Sequence, residues 1–172
     1  MNDTSRRTLL RGIGGAALAA AAGRALWTST PARAAEHFEV THTEAEWKKL
    51  LTPAQYEILR EDGTEPPFSS PLLNEHRTGT FHCAGCDLPL FSSATKFESG
   101  TGWPSFYRPL PNAVRTREDR TFGMARTEVH CRRCGGHLGH VFDDGPPPTG
   151  LRYCMDGLAL TFTPAAGTAK GA

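Results

Sequence analysis

Apolar and polar positions change their rhythm once along the chain. Between Glu36 and Asp62 the spacing is helical. Trp47, Leu50 and Leu51 supply the apolar face of one short helix, and Tyr56, Ile58 and Leu59 that of a second. Thr43 with Glu46, and Thr52 with Gln55, have the spacing of capping boxes, and Pro53 suits a first helical position. Gly63 is the predicted stop. The helical part is thus placed at about 43–62.

Beyond Gly63, short runs rich in aromatic and β-branched residues alternate with Gly/Pro turns. Examples are Thr80–His82, Thr127–His130, His137–Phe142, Leu151–Met155 and Leu158–Phe162, with Gly145–Gly150 separating two of them. Such spacing predicts a mainly β domain at about 78–164, antiparallel, with small helices at its N-terminal side. The small, polar residues 165–172 are predicted to fray.

The first 34 residues have a different character. Paired arginines stand at Arg6 and Arg7, a Gly/Ala-rich stretch runs from Gly12 to Gly23, and Ala32-Arg33-Ala34 is a small-x-small cut site. The pattern resembles a twin-arginine export signal, which implies cleavage after 34, a mature domain of 35–172 and a periplasmic destination. The apolar run, interrupted by Arg24, falls short of the ~20 residues a membrane span needs. The segment carries five arginines against Asp3 alone. Without it, 14 basic residues face 17 acidic ones, a net charge of −3. That charge argues against a nucleic-acid partner, for which Arg132-Arg133 is the one supporting feature.

Five cysteines fall as Cys83-x-x-Cys86, Cys131-x-x-Cys134 and a lone Cys154. Each pair can present two sulfurs from one tight turn, and two pairs complete the tetrahedral thiolate shell of a single structural Zn2+. The alternatives are two disulfides in an oxidising compartment or a redox dithiol. The Gly-containing turns favour the metal. The pairs are 44 residues apart, so the ion would tie distant segments together.

Cys154 is either an apolar filler or a reactive thiol. Arg152 shares its strand face by the two-residue period, and a positive neighbour lowers a thiol's pKa. The same period puts Leu138 and His140 on one face, His137 and Gly139 on the other. Spacing alone leaves a Cys–His peptidase open beside other thiol chemistry.

Several ordered strings narrow the choice. Gly63–Phe68, Gly102-Trp103-Pro104-Ser105-Phe106, Arg126-Thr127-Glu128-Val129, His137–Phe142 and Pro148–Cys154 together resemble the peptide-methionine (R)-S-oxide reductase family, type B. The resemblance runs from about Glu44 to Pro164 and includes both cysteine pairs. It implies two antiparallel sheets with small helices beside them, and reduction of the R epimer of methionine sulfoxide, mainly in proteins. It makes Cys154 the attacking thiol and His140 the histidine that helps handle the proton. Trp103 is the wall for the substrate's methyl group, and His137, Phe142 and Arg152 surround the substrate. Two positions depart from the family pattern. Thr101 stands where a resolving cysteine is frequent, which implies a sulfenic acid resolved by an external thiol or a thioredoxin-like partner. Asp156 stands where asparagine is usual, and a carboxyl there could lend a proton or raise the thiol's pKa. The chain is expected to act as a monomer.

Overall fold

The computed structural model describes residues 36–166, without the side chain of Phe122. The predicted export signal (1–34) and the end of the predicted frayed tail (167–172) lie outside the described residues.

Two helices open the domain, α1 (Glu44–Leu50) and α2 (Pro53–Glu61). Both capping boxes form as expected: Thr43 and Thr52 accept from the N3 amides of Glu46 and Gln55, whose side chains reach back. Trp47, Leu51, Ile58 and Leu59 are buried, but Leu50 is 61% exposed and leaves the apolar face. The C-cap of α2 is Asp62 in the left-handed conformation (φ 54°), one residue before the predicted Gly63. Aspartate tolerates that region better than most residues do.

Nine strands follow among the described residues: β1 (Gly79–Cys83), β2 (Pro89–Ser92), β3 (Lys96–Phe97), β4 (Ser105–Phe106), β5 (Val114–Asp119), β6 (Arg126–Cys131), β7 (His137–Phe142), β8 (Arg152–Met155) and β9 (Leu160–Pro164). They form two antiparallel sheets, β2-β1-β9 and β3-β4-β8-β7-β6-β5. The expected mainly β fold is present, but the run Leu158–Phe162 is divided. Gly157–Ala159 makes one tight 3₁₀ turn and the strand begins only at Leu160.

The sheets meet through aromatic rings. Phe91 of β2 stacks on Phe106 of β4 at 4.4 Å, and Phe81 of β1 meets Phe106 edge-on at 4.9 Å. All three are fully buried, so truncating one to alanine would cost roughly 3–5 kcal/mol. This contact holds β4 and, beside it, β8, the strand that carries Cys154.

Candidate active site

β8 lies between β4 and β7, so Cys154 has a partner on each side: Ser105 in one register and His140 in the other. Over it opens a cavity of about 290 Å³, lined by Trp103, His137, His140, Phe142, Cys154 and Asp156, together with Thr64, Asp62 and Arg126. Six of the seven residues expected at the site line this cavity. The seventh, Arg152, stands behind Phe142, its guanidinium 4.4 Å from the ring and bonded twice to Asp144 at 2.8 Å. It props the aromatic wall and still lends positive charge to the sulfur.

The alternation expected in β7 does not hold. Leu138 goes to the core, whereas His137 and His140 both face the cavity, their rings 5.4 Å apart. Two features break the period. Gly139 adopts φ 140°, and the β6–β7 register shifts between Val129 and His130. A Cβ at Gly139 would meet the Cys154 carbonyl oxygen at 2.2 Å, so only glycine lets β7 approach the Cys154 strand this closely.

Each histidine is held by a carboxylate that sequence reasoning missed. His137 Nδ1 lies 2.9 Å from Glu128 Oε1, and His140 Nε2 lies 2.8 Å from Asp119 Oδ2. Glu128 is gripped from behind by Arg117, and Asp119 is bonded by Thr121 and Arg126. Burial raises the Glu128 pKa, but the bonds from His137 and Arg117 win and leave it below the ordinary value. The Thr121 hydroxyl and amide, with His140 and Arg126, hold Asp119 far below the carboxylate range. Burial keeps His140 below the usual histidine value despite Asp119. A sequence signal existed for Glu128, a charge inside the run Thr127–His130. Asp119 sits in a polar edge strand and gave none.

Asp156 is buried and accepts from the Thr64 hydroxyl at 2.7 Å and the Glu65 amide at 3.0 Å. Its other oxygen lies 3.9 Å from His137 Nε2. Burial pushes its pKa up against those two bonds. Trp103 is oriented by donating Nε1–H to the Glu65 carbonyl at 3.1 Å.

The Cys154 thiol does not have the depressed pKa expected from Arg152. Burial pushes it up, and repulsion from Asp156 adds to that. Thr101, Arg152 and Ser105 pull it down without prevailing. The hydrogen bond of His140 goes to Asp119 rather than to the sulfur, which is not the ion-pair arrangement of a cysteine peptidase.

The other four cysteines form a separate cluster. Their Sγ atoms all lie within 4.8 Å of one another, with Cys83–Cys134 at 3.7 Å and Cys86–Cys131 at 3.5 Å, and none is in a disulfide. So two turns 44 residues apart converge on one point and could hold a metal ion. Crowding of the sulfurs raises the Cys83 thiol well above the ordinary range, first through Cys131. Arg60 and Arg133 clamp the two turns by donating to the Cys134 and Cys86 carbonyls at 3.0 and 3.1 Å. Arg132 donates to the Asn112 carbonyl at 2.8 Å and pairs with Glu39. Arg132 and Arg133 are thus engaged within the fold.

Comparison with known proteins agrees with this geometry. The family model described as "SelR domain" matches residues 51–164. Peptide methionine sulfoxide reductase MsrB of Agrobacterium fabrum is 56% identical over 127 residues, covering 73% of this chain and 94% of that protein. The MsrB of Thiobacillus denitrificans is 58% identical over 123 residues, 71% of this chain and 93% of its own. That of Methanosarcina barkeri is 56% identical over 124 residues, 72% and 87%. With this match over nearly all of the described domain, the chain belongs to the SelR-domain family of peptide methionine sulfoxide reductases, MsrB.

Proposed function

We propose that this reductase acts on the R epimer of methionine sulfoxide in proteins, with Cys154 as the attacking thiol. The observation that carries the reading is the position of Cys154 in a cavity walled by Trp103 and Phe142 and flanked by two carboxylate-held histidines. A sulfoxide sulfur becomes electrophilic as its oxygen takes a proton. The thiolate attacks sulfur while His140 or its neighbours protonate the oxygen. The substrate's methyl group rests on the indole of Trp103. The oxygen passes to Cys154, which becomes a sulfenic acid, and methionine leaves. One external thiol converts the sulfenic acid to a mixed disulfide and water. A second releases Cys154 and carries away the disulfide.

Cys83, Cys86, Cys131 and Cys134 would hold one Zn2+. Four sulfur donors fill a tetrahedral shell and leave no open position, so the ion's part is structural. Residues 1–34 would direct export to the periplasm, where a monomer would meet oxidised proteins and an external thiol or thioredoxin-like reductant.

The test is turnover of separate R and S epimers of an N-acylated methionine sulfoxide, with dithiothreitol as donor. Consumption of the R epimer alone is expected. Equal consumption of both would overturn the stereochemical assignment.

A further inference from the structure

Cys154 has an uncharged neighbour whose chemistry the reaction above does not use. Thr101 Oγ1 lies 3.7 Å from Cys154 Sγ. Behind it, Ser99 Oγ lies 2.8 Å from Thr101 Oγ1 and 2.7 Å from Ser105 Oγ. Ser105, fully buried and paired across the sheet with Cys154, reaches the Trp103 carbonyl at 3.1 Å. Three hydroxyls thus join the sulfur to the backbone of the methyl-binding tryptophan: Thr101 and Ser105 both act on Cys154, and Ser99 links the two.

The loop is shaped to present Thr101 there. Gly100 and Gly102 on either side adopt φ 74° and 94°, and a Cβ at Gly102 would meet Pro67 Cβ at 2.8 Å. The Thr101 amide also points at Ser99 Oγ, at 3.4 Å.

A hydroxyl carries one proton to donate and lone pairs to accept. When Cys154 is a thiol, S–H can donate to Thr101, Thr101 to Ser99, Ser99 to Ser105, and Ser105 to the Trp103 carbonyl. When Cys154 is a thiolate, each hydroxyl can turn so that its proton points towards sulfur. The thiol's own proton leaves to the solvent of the cavity that Cys154 lines, and the hydroxyl chain neither gains nor loses one but only reorients. A bond to the charged sulfur is about twice as strong as a neutral one, and a chain of hydroxyls polarises cooperatively. The thiolate gains more from the array than the thiol does.

We propose that Thr101 is a further catalytic residue, the final donor of a Ser105–Ser99–Thr101 hydroxyl relay that stabilises the Cys154 thiolate. The proposal rests on Cys154 being the attacking thiol. The residue at the position of the frequent resolving cysteine then works on the first half of the reaction, thiolate formation. Burial and Asp156 oppose ionisation of Cys154, and the relay acts with Arg152 against them. The other titratable or charged groups around the cavity are His137, His140, Asp62 and Arg126, and all stay unchanged in the variants below.

The test is the pH dependence of Cys154 alkylation by iodoacetamide in the full, metal-loaded protein, with the Cys154 peptide quantified by mass spectrometry. Thr101→Val keeps shape and removes the donor. Its inflection should move up by about one pH unit, a tenfold smaller thiolate fraction at neutral pH. Thr101→Ser should restore the wild-type inflection to within about 0.3 unit. Ser99→Ala, which leaves Thr101 in place but unsupported, should shift it the same way by less. Circular dichroism and metal content confirm that each variant is folded. A Thr101→Val inflection equal to wild type, or a Thr101→Ser inflection that stays high, overturns the proposal. The titration reads the sulfur whether or not it turns over sulfoxide. Failure of the catalytic reading shows separately, as activity retained in Cys154→Ser.

Discussion

Trp103 Nε1 donates to the backbone oxygen of Glu65 at 3.1 Å, while the Glu65 carboxylate accepts from the Gly157 and Leu158 amides at 2.6 and 3.1 Å. One buried residue from the segment after α2 therefore ties the aromatic wall of the cavity to the turn that follows the Cys154 strand. Burial raises the pKa of Glu65, and the two amides work against that rise.

The wall and its tether should separate in kinetics. Trp103→Phe keeps an aromatic face but leaves the Glu65 carbonyl without its donor. With its tether lost the ring is less well oriented, so KM should rise, with a smaller change in kcat. Trp103→Ala should lower kcat/KM further, because the methyl group loses its surface. Steady-state kinetics on an N-acylated methionine sulfoxide decide it, and an unchanged KM in Trp103→Ala would remove Trp103 from the substrate site.

Asp156 sets a pH prediction with a definite sign. Burial raises the pKa of the Cys154 thiol and the negative charge of Asp156 raises it further. The thiolate fraction, and with it kcat/KM, should climb with pH through neutrality. Asp156→Asn preserves an oxygen for Thr64 and Glu65 but removes the repelling charge. The ascending limb should move to lower pH by a few tenths of a unit or more. If the limb stays in place and activity falls tenfold or more, Asp156 is the proton donor and its effect on the thiol is secondary.

The parts that could be read along the chain are those fixed by local chemistry. Thr43/Glu46 and Thr52/Gln55 announced both helices because a capping box is closed within four residues. The convergence of Cys83, Cys86, Cys131 and Cys134 was legible because metal-binding turns have a short-range signature. Strands β2 to β5 do not stand out as runs in the sequence. β3 and β4 have two residues each, and β5 is a mostly polar edge strand without alternation. With β5 unseen, the pairing that brings Arg117 opposite Glu128 was out of reach, as was the hold of Asp119 on His140. Strand parity misplaced His137 because it holds only for a regular strand, and Gly139 makes β7 irregular. Arg152 was expected to touch substrate, but its contacts with Asp144 and Phe142 could be known only from the fold.

Metal content should separate the two kinds of cysteine. Cys83→Ser or Cys134→Ser opens the sulfur cluster and should release the ion, with a sharp drop in Tm. Structural zinc binding of this type is worth roughly 10–16 kcal/mol at neutral pH. Cys154→Ser, outside the cluster, should retain one zinc per chain and the wild-type Tm while losing turnover. Elemental analysis with thermal unfolding checks all three variants. Purified wild-type protein without zinc and with two disulfides would overturn the metal assignment.

Recycling of the oxidised enzyme gives the last expectation. Thr101 is the side chain 3.7 Å from Cys154 Sγ at the position where the family often has a resolving cysteine, and the other four cysteines form their own cluster. After one turnover without added thiol, Cys154 should therefore rest as a sulfenic acid. Dimedone should add once, at Cys154, and only after sulfoxide has been supplied. An external thiol should then restore activity through a mixed disulfide. Thr101→Cys brings a second sulfur to the place of the hydroxyl and should create a partial internal route. It would be read as a loss of two mass units, with a peptide in which the introduced thiol is linked to Cys154. The same loss in the wild type, with Cys154 linked to Cys83, Cys86, Cys131 or Cys134, would mean that a metal-site cysteine doubles as the resolving thiol. The sulfur cluster would then have to open in every cycle, and zinc release during single turnover, followed with a chromogenic chelator, would report it directly.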